Sequence, residues 1–203
     1  MSNRRIAVLI SGRGSNLQAL IDAIAARQLD ATIAVVLSNR ADAQGLERAR
    51  TAGIATVTMP HREFPSRDAF ETAVAGELRA RDVSLVCLAG FMRLLGGTYL
   101  ADFGARTLNV HPSLLPAFPG VDAQRQALEH GVKVAGATVH FVTGELDGGP
   151  IVMQGAVPVH DDDTADTLSA RILEVEHRIY PAAVGSVLDG GWTIQGRTYR
   201  KIA

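Results

Sequence analysis

Asn109 and His111 occupy alternate positions in the stretch Thr107-Leu108-Asn109-Val110-His111-Pro112-Ser113-Leu114-Leu115-Pro116. In an extended strand, alternate side chains share one face, so an amide and an imidazole project side by side. Pro112 ends regular structure there, because it has no N–H to give and restricts the residue before it. Strand ends of open parallel sheets are where ligands bind. An isolated Asn-x-His is most simply a strand cap whose imidazole satisfies a turn. A second stretch, Gly136 to Pro150, changes that balance, because its glycine-rich turn supplies the carboxylate of Asp147. Amide, imidazole and carboxylate together offer hydrogen-bond donors for developing negative charge and a group that carries a proton.

A different chemistry is available near the N-terminus, at Ser11-Gly12-Arg13-Gly14-Ser15-Asn16. An apolar run, a glycine turn and a helical pattern follow in immediate succession. Such a turn presents unpaired backbone N–H groups at the positive end of a helix dipole, which suits a phosphate. Gly12 and Gly14 let the backbone approach an anion without a Cβ in the way, and the Ser15 hydroxyl and Asn16 amide can donate to it. The turn is not a dinucleotide fingerprint, because the third glycine position is Leu17 and the next strand ends Ser38-Asn39-Arg40 without a ribose-binding acid. Nor is it a P-loop. From its residues alone, phosphate cradle and plain tight turn remain equally open.

Taken together, Asn-x-His-Pro-Ser-Leu-Leu-Pro at 109–116 and Leu-Asp-Gly-Gly at 146–149 resemble the folate-dependent formyltransferases. With the 11–16 turn, the likeness covers essentially the whole chain and is strongest to members acting in purine synthesis. The resemblance implies transfer of a formyl group from 10-formyltetrahydrofolate to the amine of glycinamide ribonucleotide, with Asn109, His111 and Asp147 catalytic and no metal. Asn109 and His111 would donate to the oxyanion, His111 would move the proton, and Asp147 would orient His111 and favour its charged form. It also implies that Gly14, Ser15 and Asn16 hold the substrate phosphate and that Glu176, within Val175 to Pro181, holds the ribose hydroxyls. Folate would be bound by Arg67 and Asn109 and by backbone groups of Met92, Arg93, Leu94 and Leu95. The family usually carries a bulkier or acidic residue at Gly144, and often a histidine or asparagine near Val121 to Ala123. This chain has neither.

Other activities stay in view. A formyltetrahydrofolate deformylase would use the same triad with water as nucleophile, but its relatives carry an extra N-terminal domain and lack the Gly-x-Gly-Ser-Asn turn. A formyltransferase acting on methionyl-tRNA would add a C-terminal domain and basic surfaces. A non-catalytic nucleotide-binding module would have no use for an intact Asn109, His111 and Asp147.

These residues require elements to position them. Strands are expected over Ile6 to Ile10, Ile33 to Leu37, Ile54 to Thr58 and Ser84 to Ala89, alternating with helices over Ser15 to Ile24, Asp42 to Ala52 and Ser66 to Arg81. Ser66 is the expected N-cap of the third helix. That alternation predicts right-handed βαβ units and an α/β fold: a single-domain, Rossmann-like, mostly parallel twisted sheet with helices on both faces. Val134 to Val142 and Ile151 to Val159 are too closely connected for a crossover helix, so an antiparallel strand is expected toward the C-terminal part. In the first of them His140 reads as a satisfied core histidine. Ala117 to Asp122 reads as a loop able to act as a lid, Asp122 to His130 as a helix, and Gly191 to Arg200 as a hairpin. The expected division is a phosphate-binding half, 1–100, and a catalytic and folate-binding half, 101–203.

His160-Asp161-Asp162-Asp163 has the composition of a metal cluster, yet acids ahead of a helix starting near Thr164 suit the helix dipole better. At 203 residues the chain can bury a core without metal or disulfide staples. The single cysteine, Cys87, lies in an apolar run and is expected to be buried and inert. The short apolar run after Arg4 and Arg5 breaks at Ser11, unlike an export signal. A net charge of −1 argues against a broad nucleic-acid surface. A cytoplasmic protein with small-molecule partners, monomer or homodimer, and without nucleic-acid or membrane partners, is expected.

Overall fold

In a computed structural model that describes residues 3–202, one nine-stranded sheet runs through the chain. Its strands are β1 (Arg5–Ile10), β2 (Thr32–Ser38), β3 (Thr56–Thr58), β4 (Leu85–Leu88), β5 (Thr107–His111), β6 (Val134–Phe141), β7 (Ile151–Pro158), β8 (Trp192–Gln195) and β9 (Thr198–Lys201), in the order β3-β2-β1-β4-β5-β6-β7-β9-β8. The helices are α1 (Ser15–Ala25), α2 (Gly45–Thr51), α3 (Arg67–Ala80), α4 (Gly97–Phe103), α5 (Ala123–Glu129) and α6 (Ala165–Leu188). Strands β1 to β5 pair in parallel, as their crossover helices require, and β6 pairs antiparallel with both β5 and β7.

Strand periodicity divides the core into two layers. Ile6, Val8 and Ile10 join Leu17, Leu20, Ile172 and Ile179 on one face, while Ala7 and Leu9 join Phe70, Val74, Leu78 and Phe103 on the other. The first layer is covered by α1 and α6, the second by α3 and α4. Helices thus lie on both faces, and the strands between them are apolar on successive residues, as doubly covered strands are.

The order of strands reverses between β1 and β4, which opens a crevice at their carboxyl ends. Ser11 stitches that crevice. Its N–H donates to Gly90 O at 3.1 Å, and its hydroxyl donates to Asn39 Oδ1 at 2.6 Å and accepts from Met92 N at 2.8 Å. The glycine turn and the segment after β4 are therefore held against each other.

Two helices depart from the sequence reading. The second begins at Gly45, not Asp42, because the Asp42 carboxylate pairs with Arg40 at 2.8 Å and Gly45 N is tied to Gly12 O at 3.0 Å. A further helix, α4, forms where none was expected. No side chain of its own caps it, so nothing in its local sequence announces it. Ser66 caps α3 as expected, accepting from Ala69 N at 3.1 Å. Thr164 caps α6 through a capping box with Thr167, while Asp163 binds Arg171, His160 N and the Thr167 hydroxyl. The acidic run is a helix start.

Candidate functional site

Strand β5 delivers Asn109 and His111 to one face, as alternation demands, while Leu108 and Val110 enter the core behind them. Strand β6 lies antiparallel beside it, with Asn109 opposite His140 and His111 opposite Thr138. The core-facing residues of β6 are Ala135, Ala137, Val139 and Phe141, so His140 must point to the same side as Asn109. Asp147 sits in the turn leading to β7 at φ 49°, a left-handed conformation that aspartate tolerates better than most residues.

These side chains converge. Asp147 Oδ2 is 3.4 Å from His111 Nδ1, and its Oδ1 is 3.6 Å from His140 Nε2. Asn109 Nδ2 is 3.2 Å from His140 Nε2. His140 Nδ1 is 2.9 Å from Phe141 O, and since a carbonyl only accepts, that nitrogen carries a proton. In the neutral ring Nε2 is then an acceptor, which fixes Asn109 as the donor. By the same reasoning His111 Nε2, 2.9 Å from Phe118 O, carries a proton. A neutral His111 therefore turns its bare Nδ1 toward Asp147, whereas an imidazolium serves both acceptors.

Burial decides the resting state. It pushes His111 below the ordinary histidine range, although the Phe118 carbonyl and the Asp147 charge pull upward. Asp147 was expected to favour the charged ring. It does pull that way, but desolvation outweighs it in the protein alone. For Asp147 the largest single influence is also burial, which raises it. The His140 ring beside it, the Gly120 N–H at 2.8 Å and the His111 imidazole together overcome this, leaving it below the usual carboxylate range.

The loop expected as a lid lies directly on this cluster, through Phe118 O on His111 and Gly120 N on Asp147. At Gly144 a Cβ would meet open space, so the bulkier residue usual in relatives would be accommodated.

The glycine turn carries a correction. Asn16 does not aim its amide outward. Its Nδ2 donates to Glu176 Oε2 at 2.6 Å, and its Oδ1 is buried without a partner among the described residues. Gly14 is a glycine for internal reasons, with φ 72° and a would-be Cβ only 2.7 Å from Gly45 Cα. The groups left for an anion are the first backbone N–H groups of α1 and the Ser15 side chain. Glu176 is 7% exposed, and desolvation holds its carboxyl up to about 7 despite the Asn16 amide. A groove of about 620 Å³ begins at Ser15 and runs between α1 and α6, touching none of Asn109, His111 or Asp147.

After β4 the chain exposes apolar side chains: Met92 is 73% and Leu94 65% accessible. Leu146 and Val121, on the two loops bordering the triad, are exposed as well. Four of the six large apolar side chains exposed among the described residues thus lie on the segment after β4 and on the two loops bordering the triad, an apolar surface of the kind that marks a binding site. Leu95 turns inward and is buried, Arg93 is exposed, and Met92 N is already committed to Ser11. Arg67 lies at the start of α3 with its Nε on Glu71 Oε1 at 2.7 Å.

Comparison with known proteins decides the family. The formyl transferase profile matches residues 4–184. The chain belongs to the formyl transferase family. It is 49% identical over 185 residues to phosphoribosylglycinamide formyltransferase of Escherichia coli K12, an alignment spanning 91% of this chain and 87% of that one. It is 48% identical over 186 residues to the trifunctional purine biosynthetic protein adenosine-3 of Gallus gallus, of which it matches 18%. Glycinamide ribonucleotide transformylase 1 from Symbiobacterium toebii superposes with a TM-score of 0.97 at 56% identity, covering 99% of this chain and 95% of that one.

Within this formyltransferase, the structure brings together Asn109, His111 and Asp147, and separately Asn16 and Glu176, 160 positions apart. It also adds a residue the sequence reading assigned to the core. His140 contacts both Asn109 and Asp147, and the signal that could have revealed it is the polar Thr138-x-His140 alternation on an otherwise apolar strand. Cys87 is buried as expected, its thiol pushed up to about 12 by desolvation. No helix among the described residues is long and apolar enough to cross a membrane.

Proposed function

We propose that this protein transfers the formyl group of 10-formyltetrahydrofolate to the amine of phosphoribosylglycinamide, in purine biosynthesis. The observation that carries the proposal is the meeting of Asn109, His111 and Asp147 at the end of β5, in a chain 49% identical to a phosphoribosylglycinamide formyltransferase.

The substrate amine is itself the nucleophile, so no covalent enzyme intermediate is needed. Attack on the formyl carbon produces a tetrahedral centre whose oxygen becomes negative. Asn109 donates its amide N–H to that oxygen, and His111 donates from Nε2 once the Phe118 carbonyl has moved aside. Negative charge there raises the proton affinity of His111, and Asp147 at 3.4 Å supports the imidazolium that burial disfavours beforehand. His111 can then pass a proton from the attacking amine to the departing nitrogen.

Positioning is divided between two arms of the crevice. The substrate phosphate is held by the turn Gly14-Ser15-Asn16, chiefly through backbone N–H groups, and the ribose hydroxyls by Glu176, which Asn16 fixes in place. The formyl donor lies against Met92 and Leu94, with backbone groups of Met92 to Leu95 on its heterocycle and Arg67 toward its acidic tail. The exposed apolar strip and the half-exposed guanidinium fit a flat ring joined to carboxylates.

Tetrahydrofolate release followed spectrophotometrically, with and without phosphoribosylglycinamide, tests this function. Strict dependence on the amine is expected. Equal rates in its absence, with formate accumulating, would establish a deformylase.

A further inference from the structure

We infer that Glu71 is a positioning residue for the formyl-donor side of the site, acting through Arg67 and the segment that ends at Gly96. This rests on the proposed binding of the donor by Arg67 and Met92 to Leu95. Glu71 lies one turn after Arg67 on α3 and is 1% exposed, a depth at which a carboxylate must be fully partnered. It is. Oε1 accepts from Gly96 N at 2.6 Å and from Arg67 Nε at 2.7 Å, and Oε2 accepts from Tyr99 N at 3.2 Å.

Gly96 and Tyr99 are the N-cap and third residue of α4. In a capping box those two N–H groups are satisfied by the helix's own side chains. Here Gly96 has none, and both are satisfied by one carboxylate from a different helix. The segment Met92–Leu95 is therefore pinned at both ends, by Ser11 Oγ on Met92 N at 2.8 Å and by Glu71 on Gly96 N. The same carboxylate holds Arg67 by Nε alone, leaving its terminal nitrogens for an anion. The three residues are packed as one unit: a Cβ on Gly96 would stand 3.0 Å from Arg67 Cζ, Arg67 Nη2 and Glu71 Oε1.

Glu71 thus couples the cation to the apolar strip. If its charge is removed, the guanidinium loses its anchor and the Gly96 end of the segment loosens, while the phosphate turn, Glu176 and the catalytic triad keep their own contacts.

Steady-state kinetics with both substrates varied test this on Glu71→Gln, Arg67→Ala, the double variant and Gly96→Ala. Gly96→Ala crowds the same contact without touching the buried carboxylate, so it serves if Glu71→Gln folds poorly. The expected result is a rise of roughly tenfold in KM for the formyl donor in Glu71→Gln, as for loss of one charged anchor. KM for phosphoribosylglycinamide should stay within about twofold, and Gly96→Ala should shift donor KM the same way, less strongly. In the double variant the Glu71 effect should shrink. Donor KM unchanged in Glu71→Gln and Gly96→Ala, although Arg67→Ala raises it, would overturn the positioning role alone. Donor KM unchanged in Arg67→Ala would overturn the binding role of Arg67 itself. An equal rise in both KM values would make Glu71 purely structural and overturn the inference.

Discussion

Asn109 and His140 face each other across β5 and β6, with Nδ2 and Nε2 3.2 Å apart. With Nδ1 of His140 donating to the Phe141 carbonyl, Nε2 of the neutral ring accepts, and the Asn109 amide is oriented by its cross-strand neighbour. His140 also lies 3.6 Å from Asp147, so it borders two members of the triad.

Substituting the triad should therefore damage turnover far more than binding. Asn109→Ala, His111→Ala and Asp147→Ala are each expected to lower kcat by about a hundredfold or more, with KM changed only a few-fold, because their hydrogen bonds strengthen as charge develops. His140→Ala should lower kcat by a smaller factor, since it orients Asn109 and does not replace it. Steady-state assays of the four variants check this, and near-normal kcat in the triad variants would reject the assignment.

With Glu176 holding the ribose hydroxyls as proposed, substrate binding should depend on pH near neutrality. Its carboxyl is held up to about 7 by desolvation, so it is charged above that value and protonated below. KM for phosphoribosylglycinamide should rise as pH falls from 8 to 6, and Glu176→Gln should flatten that profile. A profile as steep in the variant as in the parent would assign the dependence elsewhere.

The same shift has a consequence for stability. A folded-state value above the unfolded one contributes stability that is complete below about 4.5 and lost as pH rises through about 7. Glu176→Gln should accordingly raise Tm at pH 8 relative to the parent, with the difference shrinking toward pH 5. Thermal melts at the two pH values decide, and a Tm gain larger at pH 5 would contradict the sign.

Gly14 tests packing more than phosphate recognition. Gly14→Val forces a side chain into left-handed backbone and against Gly45 Cα at 2.7 Å. A loss of about 2 kcal/mol or more is expected by chemical denaturation. Both KM values should suffer together, because the helix start moves. Unchanged stability with KM raised for phosphoribosylglycinamide alone would mean that the anion, not Gly45, sets the requirement for glycine.

Transfer and hydrolysis differ in which nucleophile is held beside the formyl carbon, and the triad is common to both. Holding the amine by phosphate and ribose makes the reaction effectively intramolecular, worth several kcal/mol. One formylated product should form per folate consumed, measured by product chromatography, and formate without the amine should be negligible. Substantial formate formation would remove the phosphate role of Gly14, Ser15 and Asn16.

Much of this was determined by the chain's own order of residues. Alternation put Asn109 and His111 on one face, Pro112 ended their strand, and the βαβ rhythm dictated a mostly parallel sheet. These are local rules, readable within a strand or a turn. The place of the crevice, between β1 and β4, came only with the strand order. The partner of His140, the contacts of Glu71 and the aim of Asn16 were not readable, because each is settled by a residue far away in sequence. The β5–β6 register set His140 opposite Asn109, where a slip of one residue would have turned it into the core. Glu71 capped a helix 25 positions on that has no cap of its own. Asn16 turned inward to Glu176 because only the packing of α1 against α6 brings that carboxylate within reach. Periodicity fixes which face a side chain takes, but only the folded chain decides what stands on the other side of it.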